Sequence, residues 1–247
     1  MKITFLGTSH GVVEKNRHRS SAMIEVGNAI YLIDAGAPVV DELINHDKKI
    51  QDVKAIFTTH RDGDHVNGLL TYAELLNWFY KDASVDIYMT EQVLIDAFKN
   101  LIKLVGNGLD ENRIRFNLFD EKFVYKDENI KVSFIPTCHL KWRGLPAYSI
   151  FIEAEGKKVL FSGDLSNGIK ENDVPKILFE EEIDAFICEL AHFSIDEIKP
   201  YLLKSKTKAV YFNHIGYPTT RFEDVKELNG ELNILVKSVN DGDEIEF

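Results

Sequence analysis

Seven apolar, β-rich runs in this chain end at a residue that can bind a metal or carry a proton. KITFL leads through Gly7 to His10, AIYLI stops at Asp34 and VKAIFTT at His60. NIKVSFI leads through Pro136 to His139, KKVLFS through Gly163 to Asp164, DAFIC to Glu189 and His192, and KAVYF to His214. Six of the eight histidines lie at these ends or in the loop that one of them opens. Sheets bind ligands in the crevice outside the carboxyl ends of their strands, because rigid strands can deliver side chains from distant parts of the sequence to one place. The pattern therefore predicts sheets whose strand ends share a site.

Helical patterns separate several of the runs. GLLTYAELLNWFYK carries an apolar stripe at Leu69, Tyr72, Ala73, Leu76 and Phe79, and TEQVLIDAFKNLIKLV reads the same way. SIDEIKPYLLKSK adds an N-cap at Ser194. With the further runs SAMIEV, VDIYM, AYSIFIEA and DEIEF, the expected class is α/β, sheets covered by helices. No repeat, linker or low-complexity tract interrupts the 247 residues, so a single domain over 1–247 is expected. No run approaches the ~18 apolar residues of a membrane span. The opening MKITFLGTSHG is too short for a signal-peptide core, which predicts a cytoplasmic protein with no membrane partner. Cys138 and Cys188 form no framework and read as small buried hydrophobes. Forty acidic against 29 basic residues give a net charge of -11, which disfavours general binding of nucleic acid.

The chemistry concentrates in THRDGDHVNG, where His60, Asp62, Asp64 and His65 lie between an apolar strand and a helix starting near Asn67. DGD alone would suit a charged surface turn, and an EF-hand fails for want of a Glu at position twelve. Arg61 reads as a solvent-facing spacer, and His18 and His46 as surface residues. Adding His139, Asp164 and His214 gives four imidazoles and three carboxylates. One zinc normally takes four ligands, whereas two ions sharing a carboxylate would use all seven.

The loop resembles the HxHxDH signature of the metallo-β-lactamase superfamily. IPTCH with His139, LFSGDLS with Asp164, VYFNHIG with His214 and YLIDAG with Asp34 resemble its other motifs in consistent order. The resemblance implies a four-layer αβ/βα sandwich and a binuclear site. His60, Asp62 and His139 would take one divalent ion, Asp64, His65 and His214 the other, and Asp164 would bridge. Asp34 would support the loop from beneath, and Asp64 would serve catalysis as well as binding. The implied activity is hydrolysis by a hydroxide held between the ions, the pKa of its parent water falling from 15.7 to roughly 7.

Asp62 stands where the superfamily has its second histidine. A third, harder carboxylate shifts preference from Zn toward Mn or Fe. It also keeps open a non-hydrolytic di-iron protein that binds oxygen or peroxide, as well as a regulatory module that binds metal without turnover.

The opening MKITFLGTSHGV…RHRSSAMIEVGNAIYLIDAG, and ICELAHFSIDEI, look most like the ribonuclease Z and cyclic-phosphodiesterase group. That likeness implies that Glu189 and His192 help protonate the leaving oxygen; the plainer alternative makes His192 a helix-entry residue with a cap-like hydrogen bond. Ribonuclease Z grips tRNA with a basic, glycine-rich arm, for which residues 140–163 leave no room. With the acidity, this points to a small-molecule substrate, a phosphodiester such as a cyclic nucleotide or another small ester, rather than folded nucleic acid. His10, after the Gly-Thr-Ser turn, would meet a phosphate or be a plain loop residue. Arg143 or Lys141 would pair with a substrate anion and Trp142 would stack on a ring, although a Trp142 packed on the adjacent strand is slightly preferred. A homodimer is left open.

Overall fold

The computed structural model describes residues 1–106, 108–170, 173–216 and 221–247. They form two compact units, the first of Met1–Gly7, Gly11–Asp120 and Asp241–Glu246, the second of Thr8–His10, Glu121–Asn240 and Phe247.

The first unit contains β1 (Lys2–Gly7), β2 (Ser21–Val26), β3 (Ala29–Ile33), α1 (Val39–Asn45), β4 (Val53–Phe57), α2 (Gly63–Val66), α3 (Gly68–Trp78), β5 (Val85–Met89), α4 (Gln92–Val105), β6 (Ile114–Leu118) and the late strand β14 (Glu244–Glu246). Its sheet has the order β14-β1-β2-β3-β4-β5-β6. Pairing is antiparallel from β14 to β3 and parallel from β3 to β6. AIYLI is buried at all five positions, as a strand covered on both faces must be. Leu69, Tyr72, Ala73 and Leu76 of α3 join Leu32, Ile56 and Ile87 in one apolar core. Phe79 departs from the expected stripe. The helix ends at Trp78, and Phe79, at its C-cap, is 73% exposed.

The second unit contains β7 (Val124–Lys126), β8 (Lys131–Pro136), β9 (Tyr148–Ala154), β10 (Lys157–Phe161), α5 (Ile177–Glu180), β11 (Ala185–Leu190), α6 (Ile195–Leu202), β12 (Ala209–Ile215), α7 (Arg221–Leu228) and β13 (Leu235–Ser238). Its sheet runs β13-β12-β11-β10-β9-β8-β7, antiparallel from β7 to β10 and parallel from β10 to β13. Ser194 caps α6 in a reciprocal capping box with Glu197. Each unit thus repeats one plan, an antiparallel meander continued by parallel strands, although no repeat shows in the sequence. Because β8, β10, β11 and β12 point the same way, His139, Asp164, His192 and His214 emerge at one end of this sheet. Among the described residues no helix is long and apolar enough to cross a membrane.

Candidate metal centre

In the first unit the loop after β4 is held from below by one carboxylate. Asp34 leaves β3 with a positive φ of 58° and is buried. Its Oδ1 accepts the Thr59 N–H at 2.7 Å, and its Oδ2 lies 2.7 Å from His65 Nδ1. The Thr59 hydroxyl donates to the same carboxylate and lies 2.9 Å from His60 Nδ1. With Asp34 an obligate acceptor, both rings carry their proton on Nδ1 and present the Nε2 lone pair to a ligand, the arrangement by which outer partners orient metal-binding histidines. The backbone of Asp34-Ala35-Gly36 lies against the same loop, Ala35 N donating to His65 O and Gly68 N to Ala35 O, both at 2.8 Å. A Cβ on Gly36 would sit 2.3 Å from Asp64 O, so this approach requires glycine.

The two loop carboxylates lie toward the Nε2 atoms. Asp62 Oδ2 is 3.7 Å from His60 Nε2, and Asp64 Oδ2 is 3.5 Å from His65 Nε2. These separations exceed hydrogen-bond range. They match the spacing of about 3.4 Å between two ligands that each sit ~2.1 Å from a tetrahedral ion. Asp62 also stands at the N-cap of α2 without making a side-chain cap bond, the usual use of Asp there. Arg61 is no spacer. Its guanidinium donates to Glu91 Oε2 at 3.0 Å, an ion pair that ties the loop to the start of α4.

In the second unit, Asp164 Oδ2 lies 3.7 Å from His139 Nε2 and 3.5 Å from His214 Nε2. His139 Nδ1 is 3.1 Å from the Leu165 carbonyl, which can only accept, so this imidazole also presents Nε2. His214 lies in β12 with a positive φ of 46°, and Ser9 bridges to the adjacent Ile215, so the segment bearing His10 runs beside that of His214. His139, Asp164 and His192 together offer ligand atoms within 4.8 Å of one another. The Nδ1 of His192, however, is 2.9 Å from Glu189 Oε1 and 3.0 Å from Oε2. Glu189 is buried and also accepts the backbone N–H groups of Leu165, Ala191 and His192, so it anchors the loop and fixes the His192 ring. The donor set in each unit is thus nitrogen and carboxylate oxygen only, at spacings that suit a divalent ion.

Trp142 and Arg143 lie on a short turn, Lys141–Arg143, just after His139, with the guanidinium 5.7 Å from the indole centre. Trp142 is 77% exposed, which overturns the expectation that it packs on the adjacent strand; the turn lifts it off the sheet. Both cysteines are free. Burial, and then the charge of Glu189, raises the Cys188 thiol, while burial, and then the Asp173 charge, raises that of Cys138, so neither is a thiolate nucleophile at neutral pH. Thr59, Gly36 and Glu91 were not singled out from the sequence. Thr59 had a signal, a hydroxyl beside a candidate ligand, whereas Glu91 is a single carboxylate thirty residues beyond its partner.

Sheet order and structural likeness place the chain in the metallo-β-lactamase fold class. It superimposes on the metallo-β-lactamase fold protein YhfI from Bacillus subtilis with a TM-score of 0.82 at 17% identity, covering 100% of this chain and 99% of that one. Within the class, the chain belongs to the family described as anti-Pycsar protein Apyc1, whose model matches residues 1–234. It is also similar to Zn(2+)-bound PqqB from Methylobacterium extorquens, with a TM-score of 0.74, 14% identity and 100% coverage of both chains. A ribonuclease Z of Microcystis aeruginosa is 30% identical over 171 residues, 68% of this chain and 52% of that protein. The chain spans about half the length of the curated relatives it matches. None of these likenesses favours a di-iron oxygen-binding protein.

Proposed function

We propose that this chain is a metal-dependent phosphodiesterase of the cytoplasm that acts on a small phosphodiester such as a cyclic nucleotide. Two divalent ions would be held by His60, Asp62, Asp64, His65, His139, Asp164 and His214. The observation that carries this reading is the direction of the imidazoles, each fixed by a bond at Nδ1 in His60, His65 and His139 so that Nε2 faces a carboxylate at ligand spacing. A bridging role for Asp164 is supported by its Oδ2, which lies near His139 and His214, residues assigned to different ions.

Ions bound there would polarise phosphoryl oxygens and supply a water nucleophile at neutral pH. The protein residues do the rest. Expelling an alkoxide requires a proton, and His192 can hold one on Nε2 while Glu189 accepts from Nδ1 and steadies the imidazolium. Arg143 and Trp142 on their exposed turn suit an anion with an attached ring, and His10 suits a phosphate oxygen. The net charge of -11 and the short segment 140–163 support a small substrate over folded RNA.

The test compares leaving groups. With Mn²⁺ or Zn²⁺ supplied, bis-p-nitrophenyl phosphate should be hydrolysed, and a chelator should abolish turnover. His192→Ala should cost little with that ester, whose leaving group departs without a proton, but 10²- to 10⁴-fold in kcat with an alkyl or nucleoside phosphodiester. Equal losses on both substrates would remove His192 as the acid, and no turnover of any phosphodiester would reject the function.

A further inference from the structure

Asp173 lies outside every motif that identifies the site, in a polar stretch before α5, yet only 1% of it is exposed. A buried carboxylate is costly unless donors are supplied to both oxygens. Here two backbone amides, one to each oxygen, supply those donors. Oδ1 accepts the N–H of Cys138 at 2.5 Å, and Oδ2 accepts the N–H of Ser166 at 2.5 Å. Cys138 immediately precedes His139, and Ser166 is two residues beyond Asp164. The two loops are further tied by His139 Nδ1 to Leu165 O and by the Thr137 hydroxyl to Asp164 O at 2.9 Å. Ser166 in turn holds the Asp173 segment, its Oγ accepting Lys170 N at 2.8 Å.

We propose that Asp173 is a positioning residue for metal binding, a two-oxygen staple that sets the distance between His139 and Asp164 by gripping the backbone of each loop. This rests on the metal-centre reading above. Charge-assisted bonds to N–H groups are short and strong, and a carboxylate can accept at both ends. An amide of the same shape can accept at only one and would turn its NH₂ toward a donor. Asp173→Asn should therefore release one loop while leaving the apolar core of the unit intact.

The experiment is a Zn²⁺ or Mn²⁺ titration of metal-free wild type, Asp173→Asn and a control, Asp184→Asn, with Tm measured alongside. Asp184 also accepts a backbone N–H, that of Lys158 at 3.0 Å, but at the opposite ends of the strands. Asp173→Asn should weaken metal affinity by tenfold or more and alter the visible spectrum of the Co²⁺-loaded protein, whereas Asp184→Asn should lower Tm with affinity unchanged. If wild type binds metal and Asp173→Asn binds it equally with the same Co²⁺ spectrum, the staple is refuted and the metal centre stands. If wild type binds none, the metal centre itself is refuted, and the inference with it. Should Asp173→Asn not fold, amide hydrogen exchange in wild type decides. Slow exchange at both Cys138 and Ser166 in the metal-free protein supports the staple, and fast exchange at either refutes it.

Discussion

At the scale of single residues, the proposed metal preference turns on Asp62. Its carboxylate lies 3.7 Å from His60 Nε2 and does not cap the helix it precedes. Replacing an imidazole by a carboxylate hardens the donor set and adds negative charge. Asp62→His should therefore move selectivity toward Zn²⁺ over Mn²⁺, read by competitive metal titration; unchanged selectivity would show that Asp62 is not a ligand. The candidate ligands stood out in the sequence because they cluster at, or just beyond, the ends of apolar runs. Of the residues that orient them, Asp34 stood out through its motif, whereas Thr59 and Asp173 did not. Thr59 bridges Asp34 and His60 through one hydroxyl, its adjacency to His60 being the one signal it had, and Asp173 grips the backbone of two loops, which no residue spacing reveals.

At the scale of elements, the buried strands were legible, and of the four sheet edges only β14, the run DEIEF, was. AIYLI, SAMIEV and VDIYM match β3, β2 and β5 residue for residue. The strands β6, β7 and β13 escaped, and all three close a sheet edge. IRFNL, VYK and LVKS are short and half exposed, so apolar runs do not mark them. The helix α3 was found by its stripe, within which Tyr72 is buried and donates to Ile50 O at 2.6 Å. Burial, and then the Asp52 charge, raises its phenol far above the ordinary value near 10. A raised folded value means that this contribution is complete below pH ~10 and is lost as pH climbs from there toward the folded value. Tyr72→Phe should cost about 1 to 3 kcal/mol at neutral pH, and its deficit relative to wild type should narrow in denaturant titrations above pH ~10. A constant deficit would show that the phenol does not titrate differently on folding.

At the scale of the whole molecule, the repeated sheet plan was hidden because it is written in strand direction and order rather than in residue identity. The α/β class was legible, since alternating apolar runs and helical stripes leave few other ways to bury both. The negative charge and the short segment after His139 together shape the substrate proposal, whereas the ligands shape the chemistry. The central claim is that the proposed ligand set holds two ions bridged by Asp164. The most direct measurement is the metal content of purified wild type and Asp164→Ala after loading with Mn²⁺ or Zn²⁺ and removal of excess ion. Two ions per chain in wild type and no more than one in Asp164→Ala are predicted; a wild type that holds none, or an Asp164→Ala that still holds two, would contradict the account.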